Sequence, residues 1–106
     1  MSQGIDALKN AGMTEAEATV YIALLELGST TAGPLIRKTC MHRATVYDTL
    51  RKLMEKGFVS HVVKGKKKYF ESADPKIILE FLRDREEELK DVIPYFETKR
   101  MLAKER

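Results

Sequence analysis

Residues 31–71 constrain this chain more than any other stretch. They read as a short helix, a tight turn, a second helix with a basic solvent face, and a hairpin tipped by Lys64-Gly65-Lys66-Lys67-Lys68. A chain that lays one helix in a DNA groove and holds the flanking phosphates needs two helices in that relation followed by a basic hairpin. The remainder of the sequence reads as support for this unit.

Local signals place the elements. Residues 3–11 form a short helix with Ile5 and Leu8 on one face and Gly12 as its stop. Thr14-Glu15-Ala16-Glu17 is a capping box, in which threonine accepts from the amide three residues on and glutamate reaches back. The helix it opens runs to Leu27 and stops at Gly28. Its apolar residues (Ala16, Val20, Tyr21, Ala23, Leu24, Leu27) cover most of the circumference, so this is the expected central helix. Thr31 is the expected cap of a helix over 32–38, where Pro34 is tolerated in the first turn and Leu35 and Ile36 face the core. After the connection 39–42, residues 43–56 repeat apolar side chains at Val46, Leu50 and Leu53, and Gly57 ends the run. Residues 58–63 and 68–72 are β-branched and aromatic and read as strands. Both parities carry apolar residues, so alternation leaves the inner face open. Gly65 permits the positive φ of a hairpin tip. Asp74 and Pro75 read as the cap and first residue of a last helix reaching Ala103, on the order of 45 Å long if continuous. Pro94 is expected to kink or split it.

Charge singles out the same middle segment. Residues 1–31 carry net −3, residues 32–70 net +8 and residues 71–106 net −2, within a chain of +3. A local excess of this kind points to a polyanion. Near the start of the second helix Arg43, Thr45 and Tyr47, with Arg51 further along, are the candidates to meet base edges and phosphates, while His42 either donates to a phosphate or ends the turn. Lys64, Lys66, Lys67 and Lys68 are compact charges on a flexible loop, better suited to phosphates. Neutralising about four to six phosphates gives a log–log salt slope near −4 to −5.

Other chemistries lack their residues. Cys40 and His42, with only His61 at a distance, fall short of a zinc ligand set, so no metal is expected and Cys40 reads as a small buried residue in the turn. No nucleophile motif, Gly-rich phosphate loop or H-E-x-x-H occurs, so neither an enzyme nor a cofactor is expected. The run Glu86-Glu87-Glu88 spreads around its helix as a solvated face. No apolar run approaches the roughly 20 residues that cross a bilayer, and residues 1–10 lack a signal-peptide pattern. Together with the single cysteine this leads to the expectation of a cytoplasmic protein without membrane contact.

The last helix is too long to pack wholly on a small domain. Ile78, Leu82, Leu89, Val92 and Phe96 make a heptad-like seam, interrupted by Arg85. It can pack on its own domain or pair with another copy; its length favours a homodimer, the commonest oligomer and one that presents paired reading heads to DNA.

Residues 11–18 (Ala-Gly-Met-Thr-Glu-Ala-Glu-Ala), 24–28 (Leu-Leu-Glu-Leu-Gly), 43–50 (Arg-Ala-Thr-Val-Tyr-Asp-Thr-Leu), 53–59 (Leu-Met-Glu-Lys-Gly-Phe-Val) and Ala73-Asp74-Pro75 follow one another in a specific order and spacing. In that arrangement they resemble the N-terminal winged-helix domain of the archaeal TrmB-type transcriptional regulators. The resemblance covers residues 8–82. Its turn departs from the usual glycine–aliphatic–proline, reading Cys40-Met41-His42. Many relatives continue into a sugar-binding domain, and no effector pocket is carried over here. The resemblance implies a compact DNA-binding regulator that dimerises through terminal helices.

The expected fold is therefore mainly α with a small β-hairpin: a winged helix-turn-helix over 1–74 and a C-terminal helix over 75–106 acting as a dimerisation arm. The expected partner is double-stranded DNA, with the second helix in the major groove and the basic wing on phosphates. The alternative is a winged-helix protein-interaction module without direct DNA contact, which the charge on the wing and reading helix opposes.

Overall fold

A computed structural model describes residues 2–105, with side chains from residue 4. Met1 and Arg106, the outer ends of the two expected regions, lie outside the described residues. The elements run α1 (Ser2–Asn10), α2 (Glu15–Leu27), α3 (Ala32–Thr39), α4 (Arg43–Glu55), β1 (Val59–Lys64), β2 (Lys67–Ser72) and α5 (Ile77–Lys104). Helices α1, α3 and α4 and strand β2 all pack on α2.

Helix α2 is central because apolar residues surround it. Ala18, Val20 and Leu24 are wholly buried, and Tyr21 and Ala23 nearly so. The capping box forms as the sequence predicts: the Glu17 amide donates to Thr14 Oγ1 at 3.1 Å, and Glu17 Oε1 accepts from the Thr14 amide at 2.8 Å. Glu17 does more than cap. Its carboxylate is buried and accepts from Lys56 Nζ at 2.9 and 3.0 Å, which ties the start of α2 to the end of α4. Burial by itself would raise the Glu17 pKa. The Thr14 amide and the Lys56 ammonium outweigh it and hold the carboxyl below its ordinary value.

Helix α4 buries the expected stripe, Val46, Leu50 and Leu53, together with Thr49. Strands β1 and β2 pair antiparallel, with Val59 opposite Ser72 and Lys64 opposite Lys67 around a two-residue tip at Gly65 (φ 64°) and Lys66. This register assigns the face that alternation left open. Val59, His61 and Phe70 turn inward, whereas Val62, Lys64, Lys67 and Tyr69 share the outer face. The Phe70 backbone also exchanges hydrogen bonds with Thr30, so the segment before α3 docks on the wing.

Three local expectations need correction. Cys40 is exposed rather than buried. It caps α3 in the left-handed conformation (φ 57°), which turns its side chain outward, and Met41 packs against the core instead. Thr31 stands at the start of α3 in extended conformation but makes no side-chain capping bond. Finally, α5 begins two residues later than expected. Asp74 Oδ1 accepts from the Lys76 amide and the Asp74 carbonyl from the Ile77 amide, so Asp74-Pro75 form a tight turn ahead of the helix.

The root of α5 is fastened to the body. Phe81 meets Phe58 edge to face at 5.0 Å, Ile77 and Ile78 pack against the core, and Tyr21 donates to the Ala73 carbonyl at 3.0 Å. Beyond Leu82 the helix leaves the body. It runs unbroken through Pro94, which therefore does not split it, and buries no residue. On an exposed helix the carbonyl that proline leaves unpaired can turn to solvent, which lowers the cost of continuing.

Candidate nucleic-acid interface

The tight connection 40–42 sets α4 across α3, with His42 in extended conformation immediately before the first turn of α4. The buried stripe Val46–Leu50–Leu53 then dictates what faces out. His42, Arg43, Ala44, Thr45, Tyr47, Asp48, Arg51 and Lys52 are all exposed.

The wing completes a cleft beside this helix. Tyr47 from α4, Lys66, Lys67 and Lys68 from the wing, and Thr31, Ala32 and Gly33 from the first turn of α3 line a hollow of about 460 Å³ floored by Phe70. Tyr47 and the three lysines, twenty residues apart in the chain, are thus brought to one place by the Phe70–Thr30 pairing and the β register. His42, Arg43, Thr45 and Arg51 lie outside this cleft on the exposed helix, and Lys64 lies across the hairpin, its ammonium 5.4 Å from the centre of the Tyr69 ring.

The first turn of α3 was not among the expected contact residues. A helix start directs unpaired amides outward and suits an anion. The signal available in the sequence was Thr31-Ala32-Gly33-Pro34 as a helix start, but nothing local told that this start faces the wing.

The charges in the two parts differ in how they are held. On α4 the Arg51 guanidinium pairs with Asp48 and, at 3.1 Å, with Glu55, and Lys52 pairs with Asp48 at 3.3 Å. These hydrogen bonds from Arg51 and Lys52 hold the Asp48 carboxyl below its usual range. Among the described residues, Lys64, Lys66, Lys67, Lys68 and Arg43 have no carboxylate within 4.0 Å. Repulsion among the clustered wing lysines has no local relief, and an incoming polyanion would supply it.

No helix among the described residues is long and apolar enough to cross a membrane.

Comparison with known proteins adds an independent line. The family model described as "Sugar-specific transcriptional regulator TrmB" matches residues 8–76. The HTH-type sugar sensing transcriptional regulator TrmBL1 of Pyrococcus furiosus is 31% identical over 80 residues, covering 76% of this chain and 23% of that protein. The chain thus spans about a quarter of the length of that relative. The structure of TrmBL2, described as an archaeal chromatin protein with a novel mode of DNA binding, superposes with a TM-score of 0.78 at 27% identity, covering 98% of this chain and 40% of that one. A MarR family protein from Bacillus stearothermophilus shares the fold, with a TM-score of 0.61 at 22% identity over 98% of this chain and 82% of that one.

Proposed function

The chain belongs to the TrmB family of transcriptional regulators, which are not enzymes, and from that membership and the geometry we propose that it binds double-stranded DNA with sequence preference as a homodimer. The observation that carries this is the cleft in which Tyr47 of α4 meets Lys66, Lys67 and Lys68 of the wing and the first turn of α3.

In this reading residues 1–74 are the DNA-binding part. Helix α4 enters the major groove, with Arg43, Thr45 and Tyr47 toward base edges, His42 toward a phosphate and Arg51 toward base edges or phosphates. The wing lysines hold flanking phosphates. Residues 75–106 are the dimerisation arm. Leu82, Leu89, Val92 and Phe96 form its seam, all exposed in the single chain, while Ile78 at its root is partly occupied by the core.

A salt titration on random-sequence and selected duplexes tests the DNA reading. Wild type is expected to show a log–log slope near −4 to −5 for each protomer bound. Replacing Lys66 and Lys67 together by alanine should flatten that slope by about 2 for each protomer and weaken all duplexes alike. Arg43→Ala should weaken binding and narrow the gap between selected and random duplexes. Absence of duplex binding at low salt would defeat the reading and leave a protein-interaction module.

A further inference from the structure

The seam of α5 is interrupted twice, and the two interruptions are alike. Spacings of four and three run from Ile78 through Leu82, Arg85, Leu89, Val92, Phe96 and Lys99 to Ala103. In heptad terms Leu82, Leu89, Phe96 and Ala103 hold one position, a, and Ile78, Arg85, Val92 and Lys99 hold the other, d. Every a position is therefore apolar, and both cations sit at d. The cations also behave alike within the chain. The Arg85 guanidinium stacks 4.1 Å from the centre of the Phe81 ring, and the Lys99 ammonium lies 5.0 Å from the centre of the Tyr95 ring, each on the aromatic residue four positions earlier. Both stay exposed on the seam.

We propose that the arm pairs with a second copy of this chain in the antiparallel sense, an inference that rests on the homodimer reading above. When two such helices run parallel, a meets a and d meets d. Arg85 would then face its own copy, and Lys99 would do the same, burying two like-charge layers. When one helix is reversed, a meets d. Each cation then faces an a position, and none of Leu82, Leu89, Phe96 and Ala103 carries charge. The aliphatic stems of Arg85 and Lys99 can lie on leucine or phenylalanine while their heads reach water, and a facing Phe96 offers its ring as well. Along this seam the charge pattern matches a reversed copy of the same helix and clashes with an aligned one. The exposed apolar residues Leu82, Leu89, Val92 and Phe96 set the length of helix that the copy covers.

The geometry has a consequence for recognition. A two-fold axis crossing the seam near residues 87–90 puts the two Ile77 roots roughly 30–40 Å apart along the helices. That is the scale of one DNA turn, about 34–36 Å, between half-sites.

The test uses the full chain with Cys40→Ser and Ala103→Cys, spin-labelled at the new thiol, with the distance between labels measured by pulsed dipolar spectroscopy. Reversed pairing predicts roughly 35–50 Å, because residue 103 lies far from the two-fold axis. A single population below about 20 Å would mean aligned helices, with axes about 8–10 Å apart. That outcome overturns the orientation and leaves the dimer standing. Sedimentation equilibrium on the same sample separates the two claims, since a monomer at tens of micromolar overturns both. The double change Arg85→Leu and Lys99→Leu in the same labelled chain should tighten the dimer and admit a short-distance population, as both d layers become apolar. A purely long distance in that variant would show that the two cations do not choose the direction. DNA binding, measured separately by anisotropy, is not used to judge any of these outcomes.

Discussion

Helices α2 and α5 draw on the same kinds of apolar residue and meet opposite fates. Helix α2 buries six residues over 13, including a glutamate, whereas α5 buries none over 28. The difference is in how the apolar residues are arranged. In α2 they cover most of the circumference, and other elements can approach from every side. In α5 they form a stripe whose opposite side carries the acidic and basic residues, so after the Phe81–Phe58 contact the body offers nothing further to cover it. The two helices teach that apolar content does not measure burial. Angular distribution does, together with what the rest of the chain can bring into reach.

The largest test of this contrast lies in the core around α2. Leu50→Ala removes a fully buried side chain and should cost about 2–5 kcal/mol in denaturant unfolding. The trimming of Leu89, half exposed on α5, should leave the stability of the monomeric body nearly unchanged. Its effect should appear instead as a weaker dimer in sedimentation equilibrium. A large concentration-independent loss for Leu89→Ala would break the comparison, because it would mean the arm packs on its own body.

The second test is the ion pair that anchors α2 to α4. Lys56→Met leaves the Glu17 carboxylate buried with only the Thr14 amide, and should cost about 1–3 kcal/mol at neutral pH. Linkage gives the sign with pH. Glu17 has a folded-state pKa below its ordinary 4.5. Its contribution is therefore present above that value and is lost as pH falls through the folded pKa. Wild type should lose stability in that acid window, and Lys56→Met should lose less there, as followed by chemical denaturation at stepped pH. An equal loss in both proteins would show that Lys56 does not set the Glu17 titration.

The smallest expected effect sharpens the other contrast, between α4 and the wing. Asp48→Asn releases Arg51 and Lys52 from their shared carboxylate. The salt slope for duplex binding should steepen by up to about 1, with little change in thermal stability. An unchanged slope would mean that these two residues reach DNA as freely with Asp48 present as without it.

Much of the fold could be read along the chain because its determinants are local. Thr14 and Glu17 lie three residues apart, Gly28 and Gly57 stop helices at the positions read for them, and Val46, Leu50 and Leu53 mark their own face. What escaped reading depended on distant partners. Nothing near Glu17 in sequence announces Lys56, 39 residues later. The inner face of the hairpin was decided by the contact of Phe70 with Thr30 and by the antiparallel register. Cys40 was expected inside because small cysteines are commonly buried, but left-handed backbone at the end of α3 turns it out. In the candidate site, the exposure of Arg43, Thr45 and Tyr47 follows from periodicity on α4. The junction of Tyr47 with Lys66, Lys67, Lys68 and the start of α3 could not be read that way.

Local amino-acid order sets the helices, the capping box of α2, the buried stripe of α4, the concentration of positive charge in residues 32–70 and the continuation of an apolar seam into α5. These depend on interactions spanning a few residues, whose spacing is written in the chain. The pairing of Glu17 with Lys56, the side of the hairpin that faces the core, and the cleft that the wing lysines close with Tyr47 and α3 all come from long-range docking. Those outcomes depend on how elements dock, and docking is set by the shape and burial of the whole core rather than by any single segment.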